Sequence, residues 1–213
     1  MKFGTLILLC LAVLGLNSCL GVSADISIRA NGSGQIVLEY RVSQALESMG
    51  RLDGNERWPA IPVGRDDFER GVARIPGLRL SGFSARDVSG AGGGRDLLTR
   101  VTLDFQDIPA LLSFLGGAGD SASHTVENGS NVLRLVLAVP SSLNADLVSL
   151  LREVSDGYEI GIGLSVPRNA SLAVLPSDVS ASRVVSHGRR VSFTIGLADM
   201  LDLREELTLE FRW

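Results

Sequence analysis

The segment DISIRANGSGQIVLEYRV, residues 25–42, decides the fold of this 213-residue chain. Apolar and polar residues alternate on both sides of Asn31-Gly32-Ser33-Gly34, which is typical of strands with one buried face. Asn-Gly is the strongest short-range signal for a tight turn between two such strands. The segment therefore predicts a β-hairpin whose apolar side chains face a core.

More hairpins and short helices are predicted along the chain. Alternating residues indicate strands at 78–88, 97–105, 158–166, 183–186, 191–195 and 207–213. Capping residues and 3.6-residue spacing indicate helices at 43–49, 66–74, 107–115, 143–154 and 198–203. The predicted fold class is α+β, with antiparallel β-hairpins and short helices packed on the sheet.

The first hairpin has a counterpart later in the chain. Asn31-Gly32-Ser33 corresponds to Asn128-Gly129-Ser130, 97 positions on, and alternating apolar residues and a helix follow each time. We expect either an internal duplication, with halves at 25–117 and 118–213, or a chance similarity, because Asn-Gly turns and alternation are common in half-buried hairpins.

The first two dozen residues predict secretion. An apolar run from Phe3 to Leu16 is too short for a permanent membrane span and is typical of a signal peptide. It ends in Leu16-Asn17-Ser18-Cys19, which resembles the lipobox of bacterial lipoproteins in its permissive, spirochaete-type form. The resemblance implies cleavage of residues 1–18, acylation of Cys19 with palmitate-type chains, a tether over 19–24, and a domain over 25–213. The expected location is the cell envelope, at its inner or its outer membrane.

Two alternatives remain open. Val22-Ser23-Ala24 is an ordinary cleavage site, and cleavage there would secrete a soluble protein that begins at Asp25. The terminal segment, residues 207–213, resembles the last strand of outer-membrane β-barrel proteins. The predicted helices at 107–115 and 143–154 argue against a small barrel.

Few residues in the chain can support catalysis. The only cysteines are Cys10 and Cys19, and the only histidines are His124, before a hairpin, and His187, at a turn. Adjacent acids, at 66–67 and 205–206, are typical of solvated helix starts. We therefore expect no enzymatic activity, no cofactor and no metal site.

Charge gives little indication of partners. Removal of the signal peptide leaves 19 arginines against 24 acidic residues, without a basic block. Nucleic acid is therefore not an expected partner.

The segment between residues 52 and 64 is the best candidate for binding. Its prolines disfavour a helix or a central strand, and it contains Trp58 and Ile61. A tryptophan in such a loop anchors a ligand or partner, or else covers the core. With its hairpins followed by short helices behind a lipobox, the chain resembles spirochaete lipoproteins and, more distantly, the actinobacterial family with an LppM-type domain, which implies a lipid-binding-like domain. The expected function is a membrane-anchored, non-enzymatic envelope lipoprotein that binds an apolar ligand, such as a lipid, or an envelope protein.

Overall fold

A computed structural model describes residues 20–43, 64–89, 95–116, 121–137, 158–177, 179, 182–203 and 205–213. The strands are β1 (Leu20–Ile28), β2 (Gly34–Ser43), β3 (Leu78–Ser89), β4 (Arg95–Phe105), β5 (Ala122–Glu127), β6 (Ser130–Leu137), β7 (Glu159–Ser165), β8 (Ser171–Leu175), β9 (Ser182–His187), β10 (Arg190–Gly196) and β11 (Leu207–Arg212). The helices are α1 (Arg65–Val72), α2 (Ile108–Gly116) and α3 (Leu197–Leu201). The predicted α+β class is confirmed.

The first hairpin has the predicted form. Strands β1 and β2 pair antiparallel along the whole of β1. Gly32 takes a φ of 83° in the turn, and Arg29 N donates a hydrogen bond of 2.7 Å to Ser33 O. Ile26 and Ile36 are cross-strand partners and are buried. The alternating pattern therefore sorts side chains between a core and a solvent face, as predicted.

The strands form two sheets. One has seven strands in the order β3-β4-β2-β1-β7-β10-β9, and the other has four in the order β5-β6-β11-β8. Both orders are linear, so neither sheet closes on itself. Strands β1 and β7 run parallel, with Val22 beside Ile160, and the other neighbours in both sheets are antiparallel.

One continuous core joins the two sheets. Each sheet contributes the side chains of one face, and Phe193 from β10 and Phe211 from β11 are both fully buried. Complete burial of one such side chain contributes roughly 1.5–3 kcal/mol to the stability of the fold. The apolar contact between the faces is therefore the main stabilising term for the described domain.

A capping hydrogen bond in α2 and a buried apolar stripe in α1 explain where these two helices form. Asp107 Oδ1 accepts a hydrogen bond of 2.8 Å from Ala110 N, which satisfies a free N–H in the first turn of α2. In α1, Phe68 and Val72 lie four residues apart and are buried against the core, while the other face is charged. The chain leaves α1 through Gly77, at a φ of 79°. Both helices were predicted from these signals.

The structure differs from the sequence prediction at four places. Residues 20–24, expected to be a tether, form the first half of β1, because they pair with β2. Strand β8 was not predicted, and β1 and β7 pair in parallel. Strands from both proposed halves of the chain share the seven-stranded sheet. The boundary between residues 117 and 118 therefore does not separate one sheet from the other. The predicted helix at 143–154, and that at 43–49 apart from its first residue, lie outside the described residues.

Thr99 is a polar group buried in the core of the sheet. It is 0% exposed, opposite Tyr40 on one side and Ala85 on the other, and within the described ranges its hydroxyl has no hydrogen-bond partner. Burial of an unpaired hydroxyl is costly, and an apolar group of the same shape avoids that cost.

We therefore expect Thr99→Val to raise the free energy of unfolding by about 1 kcal/mol in urea denaturation. Thr102→Val is the control, since Thr102 lies on the other face of β4 and is half-buried. A clear loss of stability in Thr99→Val would show that the hydroxyl has a partner in solution.

Candidate functional site

The residues proposed from the sequence as lipidation and binding sites lie outside the described ranges. Cys19, Trp58 and Ile61 all fall there. Their roles stay predictions.

The residues weighed for catalysis serve structural roles or face solvent. His124 in β5 contacts the ring of Trp213, with centroids 5.9 Å apart, and its Nε2 is 3.1 Å from Asn131 Oδ1. His187 is exposed at the end of β9. Asp67 accepts a hydrogen bond from Gly64 N at the start of α1 and pairs with Arg70. Within the described ranges, no three His, Cys, Asp or Glu side chains are placed to hold a metal ion.

A groove of about 330 Å³ lies on the outer face of the seven-stranded sheet. We call it the outer groove and define it by Gly21, Val22, Ser23, Glu39, Arg41, Tyr158, Glu159, Gly161 and Thr194. These residues come from β1, β2, β7 and β10, which are adjacent in the sheet, and from the residue that precedes β7. The groove lies at the end of the sheet where β1 begins.

Small residues in the middle strands create the groove. Gly161 lies between Ser23 in β1 and Thr194 in β10. The centre of the groove therefore carries no side chain larger than that of threonine. A Cβ at Gly161 would meet Ser23 Cβ at 3.6 Å, an ordinary contact, so only the missing side chain keeps this space open. Alternation along β1 places Ser23 on the face opposite Ile26 and Ile28, away from the core.

Charged side chains border the groove on two sides. Arg41 in β2 lies opposite Gly21, and Glu159 in β7 lies beside Gly21 on the other side, with its carbonyl oxygen 3.8 Å from a Cβ placed there. Their Cα atoms are two strand spacings apart, roughly 10 Å. Within the described ranges, Arg41 has no ion pair.

The acidic groups of the groove are bound to arginines outside it. Glu39 pairs with Arg100 at 3.4 Å, and Glu159 pairs with Arg183 at 3.9 Å, where both side chains are more than half exposed. Solvent-exposed pairs of this kind contribute little. Arg41 and Glu159 are therefore both available to a bound molecule.

Tyr158 forms one end of the groove. Its Cδ1 would lie 3.3 Å from a Cβ at Gly21, a tight contact, so the ring packs closely on the backbone of β1 at this glycine. Its hydroxyl donates a hydrogen bond of 2.9 Å to Asp96 Oδ2, and Asp96 is only 2% exposed. The pair ties the start of β7 to the start of β4 and fixes the end of the groove.

The outer face of the four-stranded sheet carries a separate ionic network. Arg134 donates hydrogen bonds of 2.7 and 3.1 Å to Glu210 Oε2, and Arg212 donates one of 2.7 Å to Oε1. Glu210 is 7% exposed. These hydrogen bonds, that from Arg134 first, hold the pKa of Glu210 below its ordinary value against the opposing effect of burial. The network stabilises the sheet and is not a free binding site.

None of the described helices has the length and hydropathy that crossing a bilayer requires.

Comparisons with known proteins include a distant likeness in fold. No protein-family model matches the chain, and no curated protein matches it. Among solved structures, the NMR structure of the folded domain of Mycobacterium tuberculosis LppM is similar over 93% of this chain and 92% of that one. The sequence identity is 11% and the TM-score is 0.43. The likeness concerns the overall fold alone, and we transfer no residue role from it.

Loss of the Tyr158 hydroxyl is expected to destabilise the domain. Tyr158→Phe removes the donor to the buried Asp96 carboxylate, and we expect a loss of about 1–3 kcal/mol in urea denaturation. Asp96→Asn in the Tyr158→Phe background removes the buried charge and should recover most of that loss. Equal stability of wild type and Tyr158→Phe would contradict this role of the hydrogen bond.

Glu210 gives the domain a pH-dependent stability. Because its folded pKa lies below the unfolded value of about 4.3, its contribution is present above that value and is lost as pH falls through the folded pKa. Glu210→Gln should cost roughly 1–3 kcal/mol at neutral pH and should flatten the decline in stability as pH falls below the unfolded pKa of about 4.3. The exposed Glu205→Gln serves as control, and an unchanged acid profile in Glu210→Gln would contradict the account.

Proposed function

We propose that this chain is a cell-envelope lipoprotein, held at a membrane by acyl chains on Cys19. Its α+β domain is displayed in water, and it acts without catalysis by binding an apolar ligand or another envelope protein. The observation that carries the proposal is the pairing of residues 20–24 within β1, which directly follow Cys19 in the sequence.

The pairing of β1 supports cleavage before Cys19 over cleavage after Ala24. Residues 20–24 all pair with β2, and Val22, Ser23 and Ala24 also pair with β7. Cleavage after Ala24 would remove these five of the nine residues of a central strand. Each backbone hydrogen bond contributes about 1 kcal/mol, so the shorter chain would lose several kcal/mol. A chain beginning at Cys19 keeps the whole strand.

Acylation at Cys19 would give stable attachment. Each buried methylene contributes about 0.8 kcal/mol, and two or more acyl chains hold a protein where one binds only reversibly. With β1 starting one residue later, the attached domain would stand directly on the membrane surface, with the outer groove at the near end of its sheet.

An edge strand favours an envelope protein as partner. Strand β9 is at one edge of the seven-stranded sheet, where Val184 and Val185 are 43% and 50% exposed. Exposed strand edges with apolar side chains accept a strand from another chain. The apolar-ligand branch depends on Trp58 and Ile61, which we propose as its contact residues.

Metabolic labelling with a fatty acid tests the anchor. We expect label on the wild-type protein and none on Cys19→Ser, and an intact mass that corresponds to a chain starting at acylated Cys19. Ser18→Ala keeps a small residue before the cysteine and is the matched control, which should stay labelled. Label that persists in Cys19→Ser, or a mature chain that begins at Asp25, would contradict the proposal.

A further inference from the structure

The outer groove has the charge pattern of a site for a small zwitterion. Arg41 presents a cation at one side and Glu159 an anion at the other, with the glycine-lined centre between them. A purely anionic ligand would lie close to the like charges of Glu39 and Glu159. A purely cationic ligand would lie close to the like charge of Arg41. A ligand that carries both charges satisfies both sides of the groove.

Polar groups in the groove match an oxyanion beside an ammonium group. The hydroxyl of Ser23, in the strand next to Arg41, is a donor suited to an oxygen of a phosphate, and the planar guanidinium of Arg41 binds phosphate in the same way. The carboxylate of Glu159 accepts from an ammonium group. Its existing partner, Arg183, lies 3.9 Å away in a solvent-exposed ion pair. Because such pairs contribute little free energy, little is lost when a ligand replaces Arg183.

The position of the groove indicates which zwitterion is available. Gly21 is two residues from Cys19, so it lies within about 7 Å of that residue along the chain. The headgroup layer on each side of a bilayer is roughly 5–8 Å deep. If Cys19 is acylated, the mouth of the groove therefore lies at the level of the headgroups.

From this geometry we infer that the outer groove binds the phosphoethanolamine headgroup of a membrane lipid, with the phosphate on Arg41 and the ammonium on Glu159. The inference rests on the proposed lipid anchor, which brings the groove to the membrane. Bound headgroups would then fix the tilt of the domain on the bilayer, because they hold the sheet at a second point beside the acyl chains.

Calorimetric titration of the full mature protein in a non-ionic detergent tests the inference. The probe is glycerophosphoethanolamine, and we expect it to bind about tenfold more tightly than glycerophosphoglycerol, which lacks the ammonium, or ethanolamine, which lacks the phosphate. Free glycine is the comparison probe, because it is an amino-acid zwitterion that is not a lipid headgroup. Binding of glycine as tight as that of the headgroup probe would overturn the lipid assignment.

Three variants test the residues named. Arg41→Gln and Glu159→Gln should each weaken binding of glycerophosphoethanolamine about tenfold, because each removes one charged contact. Gly161→Val should abolish binding by filling the groove, without a clash in the backbone. Thermal unfolding of each variant checks that it is folded.

Matched controls lie away from the groove. Arg168→Gln and Glu205→Gln remove one exposed charge of each sign, and both should bind like wild type. Failure of glycerophosphoethanolamine to bind, or equal binding by Arg41→Gln and wild type, would overturn the inference. Label on Cys19 without headgroup binding refutes the groove alone, whereas headgroup binding by a wild-type protein that takes up no label on Cys19 refutes the anchor alone.

Discussion

Two-sided pairing of β1 is the constraint on which the described domain depends. This strand hydrogen-bonds to β2 on one side and to β7 on the other, so it joins hairpins that are more than a hundred residues apart in sequence. The inward residues Ile26 and Ile28 belong to the core that both sheets share. A defect in β1 would therefore separate the sheet into two parts and expose the core, because none of the other described strands connects β2 to β7.

The same strand gives the domain two chemically different faces. One face of β1 carries apolar side chains into the core, and the other carries Ser23, Asp25 and Ser27 toward water. Solvent-exposed ion pairs lie on that outer face, including Arg190 with Asp25 at 2.8 Å. Near the start of β1 the pattern changes, because glycines replace larger side chains and Arg41 stays unpaired within the described ranges. The outer groove is the consequence of this local change.

Local signals in the sequence predicted the elements but not how they assemble. The Asn-Gly turns were recognisable, because Gly32 and Gly129 need the positive φ that glycine adopts easily. Strand β8 was missed, because Ser171–Leu175 is almost continuously apolar and lacks alternation. The parallel pairing of β1 with β7 joins residues that no local pattern connects. Polar-face residues such as Arg41 could be assigned from alternation, but their proximity to Glu159 depends on that pairing and could not be predicted.

Hydrogen–deuterium exchange of the mature protein is the most direct test of this account, since it measures whether the first half of β1 is paired in solution. We expect the amides of Val22, Ser23 and Ala24 to exchange as slowly as those of Ile26 and Ser27, because residues 22–27 all lie between two paired strands. Fast exchange of residues 20–24 beside slow exchange of the rest of the strand would contradict it. In that case these residues would form the flexible tether that the sequence pattern had indicated.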